Sequence, residues 1–224
     1  KMTSDLTSMD WGTYMGGSGS DGGYSIRIAP NNDVYICGGT VSPALATSTG
    51  AINETYGGNL DGFISRLDNT NGALIDMTYL GTGVYDQAFI IEVDDNGDVY
   101  VLGQTLGAYP VFNAAYSNID GAQFIHKLSP DLTTTEYSTI FGSGSLGDDC
   151  FPFGPCPKID ISPTAFLVDN CGNVYVSGWG GSSNNEGSTD GLPVSGDAQD
   201  GTTDGSDFYF FVLERDAQSM LYGS

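Results

Sequence analysis

Carboxylates dominate the reactive groups of this chain. It holds 23 Asp and 5 Glu against a single His and four Cys. The densest acidic segment carries Asp190, Asp197, Asp200, Asp204 and Asp207. Hard cations take several carboxylate and carbonyl oxygens. Asp197, Asp200, Asp204 and Asp207 are therefore the calcium candidates, with a solvated acidic loop as the bland alternative. A second run, 94–98, reads DDNGD. It lacks the spacing and the distal Glu of an EF-hand loop and reads as a turn. Paired carboxylates would suit glycoside hydrolysis. The Asp residues here recur in turn-like contexts, where their local hydrogen bonding is at home. His126 has no evident nucleophile or orienting acid and reads as structural. No catalytic residue is expected, and no cofactor beyond the calcium that the acidic loop would admit.

Cys37, Cys150, Cys156 and Cys171 form no CxxC pair, so a zinc site is not expected. Cys150 and Cys156 bracket FPFGP, a segment suited to a tight bend. Cys171 sits in a turn at the far end of a strand, on the order of 16 Å away at ~3.3 Å per residue. A disulfide needs Cα atoms within about 7 Å. The expected pair is Cys150–Cys156, with Cys37 a free buried thiol.

These groups must be positioned by a repeat. A turn and strand read NNDVYICGG from Asn31, DNGDVYVLG from Asp95 and NCGNVYVSG from Asn170. A second strand reads DGFISRL from Asp61, AQFIHKL from Ala122 and DFYFFVL from Asp207. A gapless register relates the segments starting at Lys1, Arg66, Lys127 and Val212. The units are 1–65, which opens with the outer strand of a preceding blade, 66–126, 127–211 with long insertions, and 212–224, the start of a fourth. The first unit predicts strands at 24–28, 34–38, 63–67 and 78–80, all of period 2. Asn32, Gly97 and Gly172 occupy equivalent turn sites that demand positive φ. Four short antiparallel strands per repeat predict an all-β fold of three propeller-like blades, a segment of a larger propeller or an open array. Long connections should then gather at one end of the blades, where binding usually lives. Trp11, Tyr137 and Tyr222 are repeat-equivalent and should be core. Trp179 breaks the repeat, replacing Gly39 and Gln104, and is the aromatic singled out for sugar or partner contact.

The pattern TYxGG…YSIxxxxxxDVYxxG…DGFIxxL resembles the SBBP-type β-propeller repeat. The strings from Asp160 to Gly181 and from Asp190 to Leu213 resemble segments of very large gliding-motility-associated surface proteins. That resemblance implies secretion by the type IX route and an extracellular or cell-surface location, and it implies no catalytic residues. Ala122 and Gln123 depart from the usual acidic-small pair before the strand.

The net charge of −22 excludes phosphate-neutralising nucleic-acid binding and disfavours anionic membranes. No apolar run approaches the roughly 20 residues that span a bilayer. The expected function is a non-catalytic extracellular module of a large cell-surface or filament-forming protein, a scaffold or adhesin. Its partners would be other chains, further blades or surface glycans. A carbohydrate-binding module on the long-loop face and an acid-pair glycosidase are the alternatives. Unpartnered end blades should make the segment unstable or oligomeric.

Overall fold

The computed structural model describes residues 1–147, 155–181 and 187–224. Among these the architecture is all-β, with three four-stranded antiparallel sheets, a two-stranded ribbon and one 3-10 turn at Arg215–Ala217. The first sheet is β1 (Asp21–Ile28), β2 (Val34–Thr40), β3 (Asp61–Leu67) and β4 (Leu74–Leu80). The second is β5 (Asp86–Val93), β6 (Val99–Thr105), β7 (Gln123–Leu128) and β8 (Thr135–Phe141). The ribbon is β9 (Leu146–Gly147) with β10 (Cys156–Pro157). The third sheet is β11 (Ser162–Val168), β12 (Val174–Trp179), β13 (Phe208–Leu213) and β14 (Met220–Gly223). Within each four-stranded sheet, spatial order follows chain order, so every connection joins neighbours. Each sheet takes its fourth strand from beyond the boundary of the sequence unit that supplies the other three.

Turn chemistry explains the local structure. Asn32, Gly97 and Gly172 have φ of 71°, 89° and 83°, as their turns require. Beside them, Asp94 Oδ1 accepts from the Asn96 and Asp98 amides, and Asp169 Oδ1 from those of Cys171 and Asn173. The DDNGD segment is thus a side-chain-stapled turn. The third and fourth strands are joined by another shared turn. Leu6, Leu132 and Ala217 stand at equivalent sites with φ of 59°, 59° and 51°. Asp5 and Asp131 each accept from flanking hydroxyls there. Residues 1–13 therefore fold as this turn does elsewhere.

Alternation gives every sheet two faces. The leading face looks toward the preceding sheet and the trailing face toward the next. The trailing face of the first sheet (Tyr35, Cys37, Ile64) packs on the leading face of the second (Ala88, Ile91, Val101, Phe124). The trailing face of the second (Tyr100, Leu102, Ile125, Tyr137) packs on the leading face of the third (Phe166, Val176, Tyr209, Phe211). Every residue of β6 is therefore buried, as expected for a strand covered on both sides. Gly103 is required within it, because a Cβ there would meet the Phe124 ring at 2.1 Å. Tyr137 lies in this core at 1% exposure, whereas its equivalents Trp11 and Tyr222 are only half-buried. Trp11 Nε1 donates to Asn69 O at 2.8 Å. Core position thus follows from having a neighbouring sheet as well as from the repeat.

Candidate functional site

The long connections leave one end of the sheets, and carboxylates that are buried at Asp86 and Asp160 and half-buried at Asp21 mark that end. Asp21 and Asp86 open the first strands of their sheets, and Asp160 lies just before β11. Each clasps the residue that follows a glycine of the incoming loop. Asp21 Oδ2 accepts from Gly17 N at 2.8 Å, Asp86 Oδ2 from Thr82 N at 2.6 Å, and Asp160 Oδ2 from Ser143 N at 2.8 Å. The preceding residues, Gly16, Gly81 and Gly142, leave room for the carboxylate. A Cβ on Gly16 or Gly142 would lie 2.6 Å from its oxygen. Burial raises the Asp86 and Asp160 carboxyls above their ordinary range despite these hydrogen bonds. Burial also acts on Asp21, but bonds from Thr40, Gly17 and Ser42 outweigh it and the carboxyl is lowered. The recurrence of Asp in turns accounts for Asp21 and Asp86, which hold amides 4 residues upstream, but not for Asp160, which reaches back 17 residues to Ser143. For Asp21 and Asp86 the signal lies in the sequence as a glycine a few residues ahead, Gly16 and Gly81, whereas Gly142 and Asp160 are far apart along the chain.

The first seam, between sheets one and two, carries one carboxylate more. Asp61 and Asp86 are both completely buried. Asp61 Oδ2 accepts from Gly57 N at 2.6 Å, while Oδ1 of Asp61 and Oδ1 of Asp86 have no partner. Asp61 Oδ1 and Asp86 Oδ2 lie 3.2 and 3.1 Å from the point where a side chain on Gly81 would begin, so the two groups converge on one spot. None of the ion pairs among the described residues reaches either one. Burial, reinforced by the Asp86 charge, pushes the Asp61 carboxyl up to about 6. Asp61 therefore takes up a proton as the pH falls toward 6, above the range of an ordinary carboxyl.

The acidic loop does not converge in this way. Asp200 Oδ1 accepts from Thr202 N and Oγ1, Asp204 Oδ1 from Ser206 N, and Asp207 Oδ2 from Asp204 N. Among the described residues, no group of three His, Cys, Asp or Glu side chains is placed together to hold a metal ion. The loop instead walls an open cleft of about 820 Å³ on the third sheet, lined by Asp200, Thr202, Asp207, Phe208, Phe210 and Tyr222. Trp179 closes β12 opposite Phe208, with which it pairs in register. The two are 38% and 63% exposed.

His126 is buried between hydroxyls. Its Nδ1 lies 2.8 Å from Tyr109 Oη and its Nε2 2.9 Å from Thr135 Oγ1. Burial pushes its pKa down to about 3, which makes it a neutral structural group with both nitrogens occupied. Tyr109, from the connection before β7, stacks on Phe124 with centroids 4.0 Å apart. Cys37 is free and buried, and burial raises its thiol to about 12. Cys171 is free and exposed. Cys156 is disulfide-bonded, and Cys150, its expected partner, lies outside the described residues.

The class this defines is an all-β repeat protein with buried carboxylates at one end of its sheets. No protein-family model and no curated protein matches the chain.

Proposed function

We propose that the chain is a non-catalytic extracellular module of a large cell-surface or filament-forming protein, its three sheets serving as blades of a β-propeller or of an open propeller-like array. The observation carrying this reading is the repeated use of one interface. Equivalent residues of successive sheets pack trailing face on leading face, in the manner by which blades add to one another. The likeness to SBBP repeats and to gliding-motility surface proteins supports the same reading and supplies the expected type IX secretion route. His126, the sole His, is held neutral by two hydroxyls, and the most perturbed carboxyls are sealed from solvent, which suits a scaffold or adhesin better than a hydrolase. Antibody labelling of intact cells tests the location. Labelling without permeabilisation is expected, and labelling only after lysis would refute it.

A second reading, carbohydrate binding, is favoured by the cleft on the third sheet. Its Phe208, Phe210 and Tyr222 offer ring faces, while Asp200, Asp207 and Thr202 offer polar groups beside them. A glycan array probed with the native chain and with Phe208→Ala decides it. Binding lost in the variant supports the reading, and no binding in either removes it.

A further inference from the structure

At the first seam, two fully buried carboxylates meet with oxygens left unused. Asp61 and Asp86 are both 0% exposed, yet Oδ1 of each lacks a hydrogen-bond partner. The Thr105 hydroxyl lies beside Asp86 but donates to Gly107 O. The equivalent carboxylates of the other sheets are complete. Asp21 Oδ1 accepts from Thr40 Oγ1, and its Oδ2 from Gly17 N and Ser42 Oγ. Asp160 Oδ1 accepts from Ser143 Oγ, and its Oδ2 from Ser143 N. The unused oxygen of Asp61 is aimed at Asp86. Asp61 Oδ1 and Asp86 Oδ2 lie 3.2 and 3.1 Å from the point where a side chain on Gly81 would begin. Asp61 Oδ1 and Thr82 O likewise lie 3.4 and 1.9 Å from the corresponding point on Gly57. Two glycines thus flank Asp61 Oδ1 at positions a Cβ would fill, among oxygens of three residues. Gly81 also borders an open cleft of about 380 Å³, lined by Ile52, Tyr79, Tyr109 and Phe112, so solvent comes within one residue of the spot.

We propose that Asp61 and Asp86 bind a calcium ion between the first and second sheets. Charge on a buried carboxyl pair must be matched by a proton, a cation or both. None of the ion pairs among the described residues supplies that cation. Calcium takes carboxylate, carbonyl and water oxygens at about 2.3–2.6 Å in flexible geometry. Asp61 Oδ1, the Asp86 carboxylate and Thr82 O are oxygens of that kind. With two carboxylates, the site draws the rest of its shell from carbonyls and water. Magnesium gives up its water reluctantly and demands near-octahedral geometry, so it suits a fully buried pair less well. The second seam shows what the ion replaces. There Ala122 stands in place of Asp61, and the Gln123 amide ties the end of the seam by donating to Phe141 O and accepting from Asp160 N. Where the amide does the bridging, one carboxylate remains and all its oxygens are satisfied. Where the amide is missing, a second carboxylate makes a ligand pair. The site is distinct from the acidic loop at 190–207.

Calorimetric titration of the chelator-treated native chain with calcium chloride, in about 0.15 M salt to screen the surface charge, tests the site. One ion per chain should bind with a Kd on the order of 10⁻⁴ M, as suits a site with few carboxylates. Asp61→Asn and Asp86→Asn should each weaken binding at least about tenfold. Asp204→Asn, in the acidic loop, should leave it unchanged. Thermal melts give an independent reading. In chelator, Asp61→Asn should be the more stable chain, because its carboxyl repulsion is gone. In about 5 mM calcium, roughly fiftyfold above that Kd, the native chain should gain several degrees and overtake the variant. Circular dichroism establishes that the variants fold, and Asp61→Ala, which copies the second seam, replaces either one that does not. A native chain with neither calcium heat nor a shifted melt overturns the proposal and leaves the pair to protons and water. So does binding that keeps its native affinity in Asp61→Asn or is lost in Asp204→Asn, since either places the ion elsewhere.

Discussion

The two inner seams share one architecture and solve the same problem at their loop ends differently. At the second seam, Gln104 and Gln123 occupy the sites held by Gly39 and Gly62 in the first. Gln104 Nε2 donates to Ile161 O at 2.9 Å. The Gln123 amide donates to Phe141 O and accepts from Asp160 N at 3.3 and 3.0 Å. Ala122 stands where the first seam has Asp61, which leaves Asp160 alone. The first seam has neither amide and instead brings Asp61 against Asp86. Amides bridge two strands without charge, whereas paired carboxyls do so only if one is protonated or their repulsion is absorbed by the fold. The contrast shows that a repeat conserves the contact between sheets without conserving the chemistry that seals its end.

The largest expected effect separates the two clasps. Asp160→Ala should cost about 2–4 kcal/mol, because it strands the Ser143 amide and hydroxyl, which together donate at 2.8 and 2.6 Å, and relieves no neighbouring charge. Asp86→Ala strands the corresponding Thr82 groups but frees Asp61 from its neighbour, so it should cost less. Urea melts of both variants give the order, and equal losses would mean that the carboxyl pair in the first seam carries no repulsion.

Next in size is the pH response of the first seam. The folded Asp61 carboxyl titrates near 6, above its ordinary 3.8. Between those values the folded state binds more protons than the unfolded state. The Asp61 contribution is therefore fully present below about pH 4 and is lost as the pH rises toward 6. His126 acts in the opposite sense. Its folded pKa is near 3 against an ordinary 6.5, so acidification below 6.5 destabilises the fold. The two trends overlap, and the difference between native chain and Asp61→Asn isolates the first. The variant should be more stable on the order of 1 kcal/mol at pH 7.5, with the gain shrinking toward pH 4. A gain independent of pH would show that Asp61 is not the titrating group.

A smaller effect belongs to the second seam. The Tyr137 hydroxyl is buried there without a partner, and burial raises its pKa. Tyr137→Phe should leave stability unchanged or raise it by up to about 1 kcal/mol, since an unpaired buried hydroxyl is a cost. A clear loss would indicate an uncounted partner. The smallest response is expected away from both seams. Alkylating exposed Cys171 should be fast and leave the melt unchanged, while Cys37, inside the first seam, should react only on unfolding.

Much of this molecule was legible in the linear chain. Period-2 alternation and the thrice-repeated turn located the strands, and Asn32, Gly97 and Gly172 announced positive φ, because these depend on residues a few positions apart. Strand ends were less legible. The first strand begins at Asp21 and the fourth at Leu74, earlier than 24 and 78, because pairing with a neighbour extends a strand past its apolar core. The singular His and the lone Cys37 read as structural from the absence of partners in the repeat, and the fold buries both.

The carboxylates mark where local reading stops. Asp94 and Asp169 staple their own turns, as Asp does from its short side chain. Asp61 and Asp86 have the same residue type in a similar polar setting, yet they meet across two sheets at Gly81. Asp200 and Asp204, much closer together in sequence, each accept instead from a backbone amide two residues on. Proximity along the chain set the turns and strands, since hydrogen bonds there close over a few residues. Which carboxylates became buried, which lost their partners and which aromatics remained open was decided by the stacking of one sheet on the next, a contact between segments far apart in sequence.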